Sequence, residues 1–300
     1  MSEFNPKVGQ VDSLGPALRR ILAPNASPMT FKGTNTYLLG TRDIAVIDPG
    51  PPDDNHLNAI LNGLEAHQRI SHVIVTHSHI DHSPLAMVLA QITGTKVYAF
   101  GPSRAGRSKI MHTLGDLGGG EGIDETFMPD QTLSHGDTVA GTDWTLTALH
   151  TPGHMGNHLC FAWEEEQTLF SGDLVMGWAT SMVSPPDGSL SDFMNSLEML
   201  AKRDQDKIYY PGHGDKITDP HQRVQELLTH RRGREAQIIA ALQGINATPA
   251  DLAAKIYTHV NPALLPAATR NVLAHLIDLS ERNIVGHDGP LTADVKFRLT

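Results

Sequence analysis

The hexapeptide His77-Ser78-His79-Ile80-Asp81-His82 places four metal-ligating side chains within six residues. In an extended stretch His77 and His79 point to the same side. A chain turning into a following helix brings Asp81 and His82 beside them, so one short segment can serve two neighbouring metal ions. Three more ligand-type residues stand beside glycines: His154 in Thr151-Pro152-Gly153-His154, Asp173 in Ser171-Gly172-Asp173, and His213 in Pro211-Gly212-His213-Gly214. Glycine lets a backbone approach a site closely and lets a strand end abruptly. Singly, each of the three reads as a turn residue; jointly with the hexapeptide they read as a metal site. The default chemistry of such a site is hydrolysis, because two divalent ions roughly 3.5–4 Å apart lower the pKa of a shared water, aim the bridging hydroxide and polarise a carbonyl or phosphoryl oxygen. Cys160 is the single cysteine, so ligation falls to His and carboxylate, which suits Zn²⁺ first with Fe or Mn as alternatives. His158, four residues beyond His154, has two open roles: proton donor to a leaving group, or hydrogen-bonding support behind the site. His150 and His135 read as strand and turn histidines without a ligand role.

The elements that must position these residues are legible as short apolar runs bounded by turns. Asn35–Leu39 and Ile44–Ile47, joined by Gly40-Thr41-Arg42-Asp43, predict a β-hairpin. A helix-period stretch over His56–His67 precedes a buried strand over His72–Thr76, and a second helix opens at Pro84 and runs to Thr93. Lys96–Phe100, Thr145–Leu149, Leu159–Trp163, Thr168–Phe170 and Ile208–Tyr210 read as further strands and 190–203 as a helix. Each ligand segment follows a strand, where open α/β sheets place their sites. Strands alternating with helices predict an α/β fold. Residues 101–125 are Gly-rich and weakly periodic and read as a long surface loop, on which Met111, His112 and Leu114 are candidates to reach a substrate. Glu164-Glu165-Glu166-Gln167 reads as a solvated hairpin tip. Beyond Thr218 the texture changes to helices over 221–242, from Thr248 and over 263–282, followed by a hairpin around Asp288-Gly289. That order outlines a winged helix, dividing the chain into 1–218 and 219–300.

The 300 residues carry a net charge of −10 and are 40% hydrophobic and 19% charged, which excludes a disordered or collagen-like chain. The charge is uneven. Residues 1–219 hold 14 Lys and Arg against 26 Asp and Glu, while 220–300 hold 9 against 7. An acidic body argues against gross electrostatic capture of nucleic acid. No apolar run reaches the ~18 residues of a membrane helix, and the first residues lack a signal-peptide layout, so the expectation is a cytoplasmic protein without membrane partners.

In motif order and spacing, residues 34–214 resemble the metallo-β-lactamase superfamily. That resemblance implies a four-layer αββα sandwich with a small C-terminal winged-helix domain and a di-metal site at the edge between the sheets. It implies His77, His79 and His154 on one metal, Asp81, His82 and His213 on the other, Asp173 bridging, and Asp48 of Ile47-Asp48-Pro49-Gly50 supporting the ligands from behind. On it, Asp81, Asp173 and His158 are the candidate catalytic residues. Gly33-Thr34-Asn35-Thr36-Tyr37, Asp48-Pro49-Gly50 and His230–Ile238, together with the winged-helix outline, are similar to the lactamase-like protein 2 group. Its animal members are single-strand endoribonucleases, and its bacterial members are described only as hydrolases. Ser83-Pro84 departs from the small residue and Gly that many members carry there. Cys160 is not where zinc β-lactamases place a ligand cysteine, so penicillin hydrolysis is not expected. Flavodiiron relatives need a flavin domain for which this chain has no room. The expectation is therefore a dinuclear hydrolase of an ester, thioester or phosphodiester, with a glyoxalase II-like thioesterase and a single-stranded RNA nuclease as the competing forms. A mononuclear iron dioxygenase and a metal-free binding module rank below them, because all seven ligands are present. Arg231, Arg232 and Arg234 are expected to contact phosphates or to pair with carboxylates such as Glu235 and Asp215. The winged helix is expected to cover the site or to mediate homodimer contacts.

Overall fold

The computed structural model describes residues 4–114, 117 and 122–300. One sheet of seven strands contains β1 (Val11–Gly15), β2 (Leu18–Leu22), β3 (Asn35–Leu39), β4 (Asp43–Ile47), β5 (Arg69–Ile74), β6 (Val97–Ala99) and β7 (Gln131–Thr132) in that order. Its first four strands are antiparallel, and β4 to β7 run parallel. A second sheet has five strands, β8 (Thr138–Ala140), β9 (Thr145–His150), β10 (Leu159–Trp163), β11 (Thr168–Gly172) and β12 (Ile208–Pro211), ordered from β12 at one edge to β8 at the other. The helices are α1 (Asp54–Asn62), α2 (Leu85–Thr93), α3 (Lys109–Thr113), α4 (Leu190–Leu200), α5 (Pro220–Ala241), α6 (Pro249–Ile256) and α7 (Leu265–Glu281).

The period-two alternation of the strands builds four layers. Tyr37, Leu39, Ala45, Ile47 and Ile74 face Ala148, Phe161, Phe170 and Tyr210 of the second sheet, forming the inter-sheet core. Leu38, Ile44, Val46 and Val73 point the other way, under α1 and α2. On the far side Cys160, Ala162, Leu169 and Tyr209 pack against α4 and the first half of α5. Both faces of each sheet are covered, which is why the strands read as continuous apolar runs. The expected αββα sandwich is the observed one.

Four expectations shift. The helix placed over 56–67 spans Asp54–Asn62, started by Asp53, whose Oδ1 accepts from the His56 N–H at 2.8 Å. The strand placed at 72–76 is Arg69–Ile74. The β1–β2 hairpin was not anticipated: β1 is a polar edge, and β2 buries Arg20, which pairs with Asp12 across the hairpin at 2.5 Å. The segment 101–125 is no plain surface loop over its described residues. It carries α3 and inserts Met111 and Leu117 into the core of the C-terminal region, so Met111 is a packing residue. Gly115, Asp116 and 118–121 of that segment lie outside the described residues.

The C-terminal helices α5, α6 and α7 are followed by β13 (Val285–His287) and β14 (Phe297–Leu299), an antiparallel wing whose nine-residue connection is longer than a tight Asp288-Gly289 turn. The capping box expected at Thr248 is present, with Asp251 accepting from the Thr248 backbone. Val224, Leu227 and Leu228 of α5 belong to the core of the sandwich, whereas Ile238 and Ala241 belong to that of the winged helix, so one helix spans both. No helix among the described residues is long and apolar enough to cross a membrane.

Candidate metal centre

The site forms where strands of both sheets end. The hexapeptide follows β5, and His154, Asp173 and His213 follow β9, β11 and β12. Its turn is pinned by Ile123, which forms a bridge with His79, while the Ile80 N–H donates to Gly122 O and the Asp124 N–H to Ser78 O, both at 2.9 Å. Ser83 is buried and donates to Asp124 Oδ2 at 2.9 Å, adding a further tie to the same turn.

His79 Nδ1 lies 3.0 Å from both His77 Nε2 and His154 Nε2. Asp81 Oδ2 lies 3.2 Å from both His82 Nε2 and His213 Nε2, which are 3.4 Å from each other. Asp173 spans the two groups: Oδ1 is 3.6 Å from His82 Nε2, and Oδ2 is 3.2 Å from His213 Nε2 and 3.7 Å from His154 Nε2. The structure thus brings the seven sequence-predicted residues together, in the overlapping groups His77–His79–His154, His77–His82–Asp173 and Asp81–His82–His213.

Hydrogen bonds behind the rings determine which nitrogens face inward. Thr76 Oγ1 donates to Asp48 Oδ2 at 2.7 Å and so accepts from His77 Nδ1–H at 3.0 Å. His154 Nδ1–H donates to Met182 O at 2.7 Å, His213 Nδ1–H to Gly33 O at 3.2 Å, and His82 Nδ1–H to Asp48 Oδ2 at 2.9 Å. Each of these four rings then turns its Nε2 towards the cluster. A proton on His79 Nδ1 can serve one of its two neighbours, which leaves at least one nitrogen facing nitrogen at 3.0 Å with no hydrogen between. Ligand nitrogens on a tetrahedral zinc stand about 3.3 Å apart, and among the described residues the buried Asp173 Oδ1 has no hydrogen-bond partner. The donor set therefore fits divalent cations.

The electrostatics agree. Burial, reinforced by neighbouring imidazoles, holds His77 far below its usual pKa and His79 at about 3, so both are neutral. Burial also works against charge on His82 and His213, but Asp81, Asp173 and, for His82, Asp48 outweigh it, raising His82 well above its ordinary value and His213 to about 9. For Asp81 and Asp173 burial is likewise overcome by the facing imidazoles, and both stay ionised. That field favours positive charge in the cluster, as a bound cation requires.

His158 stands behind Asp173. It is fully buried, Nδ1–H donates to Thr151 Oγ1 at 2.9 Å, and Nε2 accepts the Asp173 backbone N–H at 3.1 Å. With both nitrogens engaged it holds Asp173 in place. His150 packs on Phe100 with ring centres 3.8 Å apart and stands outside the cluster. Sequence reasoning missed Thr34, whose hydroxyl donates to Asp81 Oδ2 at 3.1 Å although it lies in the quoted Gly33–Tyr37 motif. It also missed Met182, which a sequence cannot flag because a backbone carbonyl carries no residue signal.

The Metallo-beta-lactamase superfamily profile matches residues 29–213. The chain belongs to this superfamily. The Beta-lactamase associated winged helix domain matches residues 248–291. The atrochrysone carboxyl ACP thioesterase of Passalora fulva is 32% identical over 97% of this chain and 82% of its own length. The beta-lactamase-like protein 2 homolog of Caenorhabditis elegans is 30% identical over 93% of this chain and 89% of its own. Among solved structures, a beta-lactamase domain protein from Burkholderia ambifaria superposes with a TM-score of 0.83 over 100% of this chain and 96% of its own, at 19% identity. A metallo-beta-lactamase family protein from Thermus thermophilus gives 0.77 over 96% and 100%, at 24% identity. The superfamily hydrolase assignment carries the fold with its winged helix, and the His/Asp cluster fits the superfamily's divalent metals.

Of the arginines of α5, Arg232 pairs with a carboxylate as expected, though with neither Glu235 nor Asp215. Arg231 is buried against the Phe193 ring, Arg232 pairs with Glu198 at 2.9 Å, and Arg234 donates to Gln237 and lies over Tyr257. Glu235 is taken by Arg282, and Asp215 approaches Arg20 at 3.8 Å.

Proposed function

We propose that this hydrolase is a two-metal thioesterase acting on an acyl group carried as a thioester. The observation that carries the substrate class is the fate of Arg231, Arg232 and Arg234: Arg231 is buried on Ser181 and Asn271, Arg232 is paired at the surface with Glu198, and Arg234 lies over Tyr257, so these three do not make the strip of unpaired cations a phosphodiester polymer requires. The thioesterase of Passalora fulva, aligned along nearly the whole chain, supports the same reading. His77, His79 and His154 would hold one ion, Asp81, His82 and His213 the other, and Asp173 both, with Zn²⁺ the first expectation and Fe or Mn the alternatives. Two such ions, when bound, would polarise the acyl oxygen and make water nucleophilic at neutral pH.

Around them the chain's own residues orient and relay. Asp48 and Thr76 fix the His82 and His77 rings, and His158 fixes the Asp173 backbone. The Asp81 side chain is 19% exposed where that of Asp173 is 8%, so Asp81 is the carboxylate that entering water meets. Held by Thr34, it orients the water and relays its proton. The water oxygen bonds to the acyl carbon, the carbon–sulfur bond breaks, and the proton leaves with the thiolate, giving a carboxylic acid and a thiol.

The test is metal content per chain, combined with turnover of an acyl-thioester panel and of a fluorescent single-stranded RNA. Two metals per chain with thioester turnover that disappears in Asp81→Ala is the expected result. RNA cleavage with inert thioesters would overturn the substrate class, and a chain without metal would overturn the site.

A further inference from the structure

We propose that Arg231 and Asn271, two side chains of the C-terminal helices, are positioning residues for the metal ligands His154 and Asp173, acting through the strap Ser181–Val183. The proposal rests on the reading of the cluster as a metal centre. It starts from an anomaly: Arg231 is 3% exposed, and among the described residues its guanidinium has no carboxylate partner. Burying such a group costs several kcal/mol unless its N–H groups are held, so as mere filling for the α4–α5 contact an aliphatic chain would serve better. What the guanidinium supplies is a fork of donors with fixed geometry.

Its Nη2 donates to Ser181 O, and Nη1 donates to Asn271 Oδ1 at 2.9 Å. The same Asn271 oxygen accepts the Val183 N–H at 3.1 Å. The strap is thus gripped on both sides of Met182, whose carbonyl between the two grips accepts from His154 Nδ1–H at 2.7 Å. Ser181 also reaches the other ligand directly, its hydroxyl donating to the backbone carbonyl of Asp173. Upstream in the same segment, Arg223 of α5 donates to Met176 O and Ala179 O, both at 2.8 Å. No side chain of α5 or α7 has a hydrogen bond to a ligand among the described residues. Their effect runs through backbone groups that set the direction of the His154 ring and the placement of Asp173. By this route the winged-helix region is built into the metal centre, instead of merely covering it.

Removing a group that orients a metal ligand typically weakens metal affinity 10- to 100-fold. The experiment uses the full chain: metal is stripped, Zn²⁺ is titrated in competition with a chromophoric chelator, and the d–d spectrum of the Co²⁺-loaded protein is recorded. Arg231→Met and Asn271→Leu are expected to weaken the His77–His79–His154 site about 10- to 100-fold, several times more than the Asp81–His82–His213 site, and to change the Co²⁺ bands. Asn271→Asp, which keeps the accepting oxygen, is expected to restore both affinity and spectrum, and Arg232→Ala to match the wild type. Should Arg231→Met fail to fold, the Asn271→Leu and Asn271→Asp pair carries the test. Unchanged affinities and spectra in Asn271→Leu, or equal weakening of the two sites, would overturn the proposal. A wild-type chain that binds no metal would overturn the reading of the site beneath it.

Discussion

Gly212, between β12 and His213, leaves room for one atom fewer than any other residue needs. A Cβ there would stand 2.3 Å from Asp173 Oδ1 and 2.7 Å from His82 Cε1, where ordinary contact begins at 3.4 Å. The backbone cannot retreat, because the Gly212 N–H donates to Gly172 O and its carbonyl accepts the Asn35 N–H, both at 2.8 Å. Nor does its φ lie in the left-handed region, so the penalty of Gly212→Ala is purely steric and falls on two ligands together. Relieving the clash requires the Asp173 carboxylate to move by about 1 Å, and a misplacement of that size costs on the order of 100-fold in rate, roughly 2.7 kcal/mol of transition-state stabilisation. Overpacking adds about 1–3 kcal/mol of lost stability. The assay is kcat/KM on a thioester, with Zn²⁺ affinity by chelator competition and denaturant unfolding. Gly233→Ala is the control, since it lies in α5 with no atom near its added carbon; it should leave activity unchanged and gain about 0.5–1 kcal/mol of stability. A Gly212→Ala protein with wild-type metal affinity and activity within threefold would refute the steric argument and the bridging placement of Asp173.

Three shorter expectations accompany it. His158→Ala removes the acceptor of the Asp173 N–H and should lower kcat/KM and metal affinity about 10- to 100-fold without removing a limb of the pH–rate profile; a lost limb would return His158 to proton donation. Burial holds His56 at about 4 and His275 at about 3. Both are neutral when folded and protonate on unfolding, so their stability contribution is full above about pH 6.5 and declines as pH falls towards their folded values, by about 1.4 kcal/mol per pH unit for each where only the unfolded form is protonated; His275→Leu should flatten that slope, measured by denaturant unfolding at a series of pH values. Chelation should lower the melting temperature, because an ion that binds only the folded chain at 1,000 times its Kd contributes about 4 kcal/mol; an unchanged melting temperature in a metal-free sample would count against the site.

The ligands were legible because their signal is local: four lie in one hexapeptide, and each of the others follows an apolar strand and a glycine. Their support was not. Thr76, Met182 and Asn271 act through backbone groups or across distances that spacing does not encode. Arg231 illustrates the limit, since a sequence offers Glu235 one helical turn away, while the actual partners are Ser181 and Asn271, fifty residues before it and forty after. The 101–125 segment looked like a surface loop because its glycines hide periodicity. Met111 and Leu117 acquire their burial from the C-terminal core, a tertiary contact that overrides local pattern. β1 and β2 escaped notice for a related reason: a buried Arg20 breaks the apolar alternation, and the facing Asp12, with Asp215 at 3.8 Å, makes it tolerable.

Neither triad belongs to one sheet. The hexapeptide extends from the seven-stranded sheet, yet His154 completes the first group and His213 the second, each from the five-stranded one. Asn35 reinforces that seam without touching a ligand, its amide donating to Pro211 O at 3.0 Å and Gly214 O at 2.9 Å across the sheet boundary. Ligand geometry therefore depends on how the two sheets register against each other, which the inter-sheet core of Tyr37, Phe161, Phe170 and Tyr210 fixes. Packing inside proteins transmits small volume changes, so a substitution deep in that core acts on the metal centre through sheet register as well as on stability.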